Sequence, residues 1–194
     1  MVEQAGLPPL ATTTPVDVRR GVAGFSVTRF VSPNGDGRAE RAAIAFERVE
    51  PGAVRVRVAQ GAATVATLVD VPAAAGPQAL DWDGAGLPDG LYRVLVDAPG
   101  AGGTLVLAQK LSLDRRAPVA RLVAVRRRRG VRLTLRFSEH VAWRLQSRGA
   151  LLRRGERPGR LHLDLPRRLR GRSVTLYLHD RAGNAGRPLQ IRVR

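Results

Sequence analysis

The chain has no cysteine, one lysine (Lys110), few aromatic side chains (4% of 194 residues) and no long apolar run. The missing thiols exclude disulfide staples and thiolate metal centres, although they say nothing about compartment. The lack of an apolar run excludes a membrane-spanning helix, which needs about 20 consecutive apolar residues. With so few aromatics, the core has to come mainly from the Val, Leu and Ala within a 44% hydrophobic composition. Residues 1–24 carry neither the basic start nor the apolar core of a secretory signal. They read as a flexible leader of mixed Pro, Thr and Gly.

Negative charge is also scarce, but only in one half. Residues 1–113 hold ten basic and eleven acidic side chains, whereas residues 114–194 hold 23 arginines against Asp114, Glu139, Glu156, Asp164 and Asp180. The net charge of +17 therefore belongs to the second half. Such asymmetry points to two units with different surfaces.

Both halves read as short strands separated by Gly, Pro and Asp. In "AVRVRVA", Val54, Val56 and Val58 alternate with Arg55 and Arg57. In "VRLTLRF", Val131, Leu133, Leu135 and Phe137 alternate with Arg132, Thr134 and Arg136. This period of two puts one face on a core and the other in water. "FSVTRFV" alternates in the same way from Phe25. "GRAERAAIAFERV" is rich in Ala, which favours helix, but Ile44, Phe46 and Val49 fit a strand from Ala42. About seven strands in the first unit match the spacing of a β-sandwich. Pro118 and the change in charge place the boundary at 113/114. The expected fold is all-β: two tandem antiparallel β-sandwich domains, residues 25–113 and 114–194.

Four residues have structural roles on their own chemistry. Trp82, at a strand end, fills the space between sheets. Asp89-Gly90 suits a turn with positive φ at glycine. Tyr92 is placed like a tyrosine corner, its hydroxyl bonding back to nearby backbone. With the Ser32–Gly37 segment "SPNGDG" and the Pro88–Tyr92 stretch, Trp82-Asp83-Gly84 resembles the FlgD-type Ig-like module, named after the flagellar hook-capping protein. The likeness covers about residues 25–113. "FSEHVAWRL" and "LHDRAGNAGRP" make residues 117–194 similar to a second bacterial Ig-like domain. The resemblance implies an immunoglobulin-like fold and a bacterial surface or secreted setting.

"NGDG" invites two readings. As a calcium loop, Asn34, Asp36 and Glu40 would be ligands, but Ala43 stands where the bidentate acid belongs and the oxygens fall short of six to eight. As a turn, the same side chains satisfy neighbouring N–H groups, and this reading is favoured. Asp180 and Asn184 in "HDRAGN" likewise offer cation ligands or a strand-to-strand turn. His140, His162 and His179 have no metal-ligand spacing. Ser138, His179 and Asp180 form a triad only on paper, without a nucleophile-elbow motif. No enzymatic activity and no cofactor are expected.

The remaining signal is arginine. Arg126, Arg127, Arg128 and Arg129 precede Gly130 at an expected hairpin tip, and Arg132, Arg136, Arg153, Arg154, Arg167 and Arg168 add to the charge. Such a face attracts polyanions. A solvated charged surface is the alternative. The expected function is a non-catalytic structural or adhesion module whose basic unit contacts an anionic cell-wall polymer. Alternatives are a flagellar hook-assembly scaffold and an intracellular nucleic-acid binder, the latter weakened by the lack of stacking aromatics.

Overall fold

The structure is a computed structural model, and it describes residues 21–100, 103–127 and 130–193. The expected leader lies mostly outside the described residues. Strand β1 (Val22–Val27) nevertheless begins three residues ahead of the expected boundary, because Val22 is buried in the core.

"FSVTRFV" is not one strand. After β1 the chain breaks at Thr28 and Arg29 and resumes as β2 (Phe30–Val31). β1 pairs antiparallel with β3 (Ala42–Arg48), whereas β2 pairs parallel with β8 (Gly103–Leu113), so this segment switches sheets. Thr28 ties the break to β3: its N–H donates to the Ala43 carbonyl (2.9 Å), and its hydroxyl accepts from Ala43 N–H (3.1 Å). β3 is a strand from Ala42, as the sequence indicated. Its inward positions are Ala42, Ile44, Phe46 and Arg48; Val49 falls beyond the strand end and is 47% exposed. Val49 is thus not a core residue. Arg48 takes the inward slot, with its guanidinium donating to the Gly21 carbonyl at 2.8 Å.

The first unit continues with β4 (Gly52–Gln60), β5 (Ala63–Ala73), β6 (Gly76–Trp82) and β7 (Gly90–Gly100). Sheet β1-β3-β6 packs on sheet β2-β8-β7-β4-β5. Ile44 and Phe46 from one sheet meet Val56, Val94 and Leu111 from the other. Each such side chain fully removed from water contributes about 1.5–3 kcal/mol.

The second unit comprises β9 (Ala120–Arg127), β10 (Val131–Phe137), β11 (Val141–Ser147), β12 (Ala150–Arg157), β13 (Arg160–Leu165), a 3-10 turn (Arg167–Leu169), β14 (Ser173–His179) and β15 (Leu189–Arg192). Sheet β13-β10-β9 packs on sheet β12-β11-β14-β15 around Leu133, Leu135, Leu145, Leu176 and Trp143. Each unit is therefore a β-sandwich with its own core. In the second unit the first, second and fifth strands form one sheet and the remainder the other. The first unit repeats this with β1, β3 and β6 once the short β2, which crosses to the other sheet, is set aside. Both are immunoglobulin-like arrangements.

Candidate functional sites: a polar joint and a basic face

The glycine-rich turn at 34–37 is held by its own side chains. Asp36 N–H donates to Asn34 Oδ1 (3.0 Å) and Arg38 N–H to Asp36 Oδ1 (2.8 Å). Gly35 and Gly37 N–H groups donate to the Glu40 carboxylate at 3.2 and 2.9 Å. Both glycines have positive φ, which the tight turn requires. Asn34, Asp36 and Glu40 thus spend acceptor oxygens on backbone, the turn reading.

The turn also does something the sequence did not disclose. Asn34 Nδ2 donates to Asn184 Oδ1 at 2.7 Å, and the Ser32 hydroxyl donates to the same oxygen. Asn184 Nδ2 donates to the Asp114 carbonyl (2.8 Å) and to Asp180 Oδ2 (2.7 Å). All four hydrogen-bonding positions of the amide are filled. Ser32 and Asn184 are each 1% exposed. Asp180 also receives Asn184 N–H at 2.9 Å. "SPNGDG" and "DRAGN" are two halves of one contact between the units, with the 113/114 junction trapped between them.

The connecting residues are clamped as well. The Arg115 guanidinium donates to the Gly84 and Leu87 carbonyls (3.1 and 3.0 Å) and to Asp89 Oδ1 (2.9 Å). Asp89 therefore anchors the linker. Tyr92 donates its hydroxyl proton to the Pro88 carbonyl (2.6 Å), a tyrosine corner, and its ring meets Trp82 edge-on with centroids 6.4 Å apart. Gly90 lies where β7 begins, without a positive φ.

Beside the joint, Asp114, Glu139 and Asp180 place carboxylate oxygens within 4.8 Å of one another. Among the described residues none of the three is ion-paired. Burial pushes the Glu139 carboxyl above its usual range, the Asp114 and Asp180 charges push it further, and the Ser138 hydrogen bond opposes them. This trio, rather than Asn34, Asp36 and Glu40, is the set able to offer charged oxygens to a hard cation. It supplies three of the roughly six to eight that calcium takes. Ser138 receives Val119 N–H (3.0 Å) and lies next to Glu139, while Asp180 is committed to Asn184, so neither bonds as a triad member.

The arginines do not form one cluster. Arg126, Arg132, Arg153 and Arg168 line a groove of about 950 Å³ floored by Leu165 and Pro166. Arg154 lies at the opposite sheet beside Trp143 and Arg144. Arg136 lies farther along β10 near Arg121. Arg127 ends β9, and Arg167 begins the 3-10 turn. Arg128 and Arg129 lie outside the described residues.

In the first unit, arginines meet acids across the ladder: Arg55 with Asp70 (2.8 Å) and Arg57 with Asp97 (2.6 Å). In the second, Arg132 grips Asp164 through two bonds of 2.7 and 2.8 Å. Those bonds hold the Asp164 carboxyl below its usual range, with the charges of Arg132, Arg153 and His162 adding to them against some desolvation. Among the described residues, Arg121, Arg126, Arg136, Arg153, Arg160 and Arg168 have no ion-pair partner.

No protein-family model matches the chain, and no curated protein matches it. Solved structures to which it is similar include the BSP domain of a biofilm-associated protein (14% identity, 89% of this chain, 29% of that one, TM-score 0.34). Others are the chicken CNTN1 FN1–FN3 domains (13% identity, 81% and 61% coverage, TM-score 0.40) and the fibronectin(III)-like modules of Clostridium thermocellum CbhA (14%, 85% and 91%, TM-score 0.40). The chain spans less than a third of the biofilm-associated structure and about three fifths of the CNTN1 fragment. No helix among the described residues is long and apolar enough to cross a membrane.

Proposed function

We propose that the chain is a non-catalytic structural or adhesion module of a bacterial surface or secreted protein, whose second unit contacts an anionic cell-wall polymer. The observation that carries this reading is the division of charge: residues 1–113 hold ten basic side chains against eleven acids, whereas residues 114–194 hold 23 arginines against five. Arg121, Arg126, Arg136, Arg153, Arg160 and Arg168 are exposed with no ion-pair partner among the described residues. The polar joint supports a spacer role, because a linker clamped at Arg115 and Asn184 presents the basic unit at a set distance from the first. The surface setting rests on the resemblance of the first unit to the FlgD-type module, which is carried by Ser32–Gly37, Trp82-Asp83-Gly84 and the Pro88–Tyr92 stretch.

Retention of the whole chain on purified anionic cell-wall polymer, across a salt series, tests the reading. Retention at physiological salt with release at high salt is expected. Passage without retention would leave a spacer with no polymer contact. Preference for duplex DNA over wall polymer would favour nucleic-acid binding instead.

A further inference from the structure

The outward face of sheet β13-β10-β9 is ordered in three cross-strand rows. Arg126, Arg132 and Asp164 form the first; Ala124, Thr134 and His162 the second; Arg121, Arg136 and Arg160 the third. Successive rows are two residues apart along β10, about 6.6 Å, so the arginine rows are separated by about 13 Å. The first row opens into the groove, which Arg153, Leu165, Pro166 and Arg168 also line. The sole acid of the three rows, Asp164, is already held by Arg132. Between the arginine rows the Thr134 hydroxyl and His162 Nδ1 lie 3.1 Å apart, leaving a polar step.

We propose that this face is a binding track for a linear phosphodiester polymer, recognised through its backbone and running along the strands from the groove to the Arg121–Arg136–Arg160 row. The proposal rests on the polyanion reading and narrows it to one place and one chemistry. Guanidinium forks match phosphate oxygens in shape and charge. The arginine rows, about 13 Å apart, would meet every second phosphate of an extended phosphodiester backbone, whose six-bond repeat spans about 6–7 Å. Apart from the His162 imidazole, the rows hold no aromatic on which a base or sugar could stack. A protein partner is disfavoured, since Ala124 and Val123, which lines the same surface at the irregularity in β9, are small apolar residues amid six charged side chains. Protein interfaces centre on large apolar anchors.

The test is equilibrium binding of the full chain to two labelled probes, single-stranded oligothymidine and synthetic poly(glycerol phosphate), over a salt series. The variant R121Q/R136Q/R160Q is compared with R144Q/R154Q/R192Q, which removes the same charge from the opposite sheet. All six side chains are exposed, and circular dichroism checks both folds. The first variant is expected to weaken both probes about tenfold or more. It should also lower the slope of log K against log salt by about two, at roughly 0.7 per lost phosphate contact. The second should change affinity by less than about threefold.

Equal losses in both variants would overturn the track while leaving general polyanion attraction intact. Binding of heparin or hyaluronate without either phosphodiester probe would do the same. A marked preference for oligothymidine would overturn backbone-only recognition. If no polymer is held at physiological salt, the track and the polyanion reading fail together.

Discussion

Asn184 Oδ1 accepts the hydroxyl proton of Ser32, a residue 152 positions earlier in the chain. The pair is buried, and it closes a circuit in which each polar atom of the Asn184 side chain has partners on a different segment. On one side are the first unit's turn residues Ser32 and Asn34; on the other are the linker carbonyl of Asp114 and the second unit's Asp180. A side chain bonded in this way resists exchange for any other residue type. Aspartate would present an acceptor to the Asp180 carboxylate and the Asp114 carbonyl, and leucine could satisfy none of the four partners.

Asn184→Ala should therefore destabilise the protein by about 1–3 kcal/mol, the cost of leaving buried partners unsatisfied. Ser32→Ala should cost less, because Asn34 still donates to the same oxygen. In urea unfolding, the double variant should lose less than the sum of the two single losses. Strict additivity would mean that the two side chains do not act through one contact.

The joint was illegible in the sequence for a physical reason. Periodicity reports which face of a strand is buried, and it correctly located β3, β4, β10 and the two cores. Asn34 and Asn184 occupy turns, where Asn is expected for local reasons alone, so nothing in either segment betrays a partner about 150 residues away. Arg48 shows a similar limit. It sits in the inward register of β3, yet a charged residue at a strand end reads as exposed until the Gly21 carbonyl is seen to receive its guanidinium. The basic face was half legible. Alternation placed Arg132 and Arg136 outward, but only the pairing of β10 with β9 and β13 aligns them with Arg121 and Arg160. That pairing also moves Arg154 to the other sheet.

Tyr92→Phe isolates the corner. The ring keeps its place against Trp82, and only the bond from the hydroxyl to the Pro88 carbonyl is lost. A loss of about 1 kcal/mol in equilibrium unfolding is expected, typical of one intramolecular hydrogen bond. An unchanged midpoint would show that water replaces the hydroxyl without cost.

Gly186→Ala tests the seam at Pro118. A Cβ at position 186 would stand 2.4 Å from the Pro118 carbonyl oxygen and 3.1 Å from Leu178 Cβ. The linker carbonyl cannot retreat freely, because the chain on its N-terminal side is held through Asp114 and Arg115. The substitution should destabilise by about 1–3 kcal/mol, as overpacking of a fitted site does. Wild-type stability in chemical denaturation would mean that the linker yields there.

Glu139→Gln should stabilise the protein near neutral pH. Burial and the neighbouring Asp114 and Asp180 charges raise the Glu139 pKa in the folded state, so the native form binds this proton more tightly than the unfolded chain does. The linkage relation then makes stability fall as pH rises from the ordinary glutamate value through the raised one. Below that ordinary value, about 4.3, the carboxyl is protonated in both states and its penalty vanishes. The variant's advantage in melting temperature should accordingly be present at pH 7, shrink through the acid range, and be gone near pH 4. An advantage of equal size at pH 7 and pH 4 would assign the effect to amide packing rather than to charge. A destabilised variant at pH 7 would mean that the Glu139 charge is held by a favourable partner, and the three carboxylates would no longer count as mutually repelling.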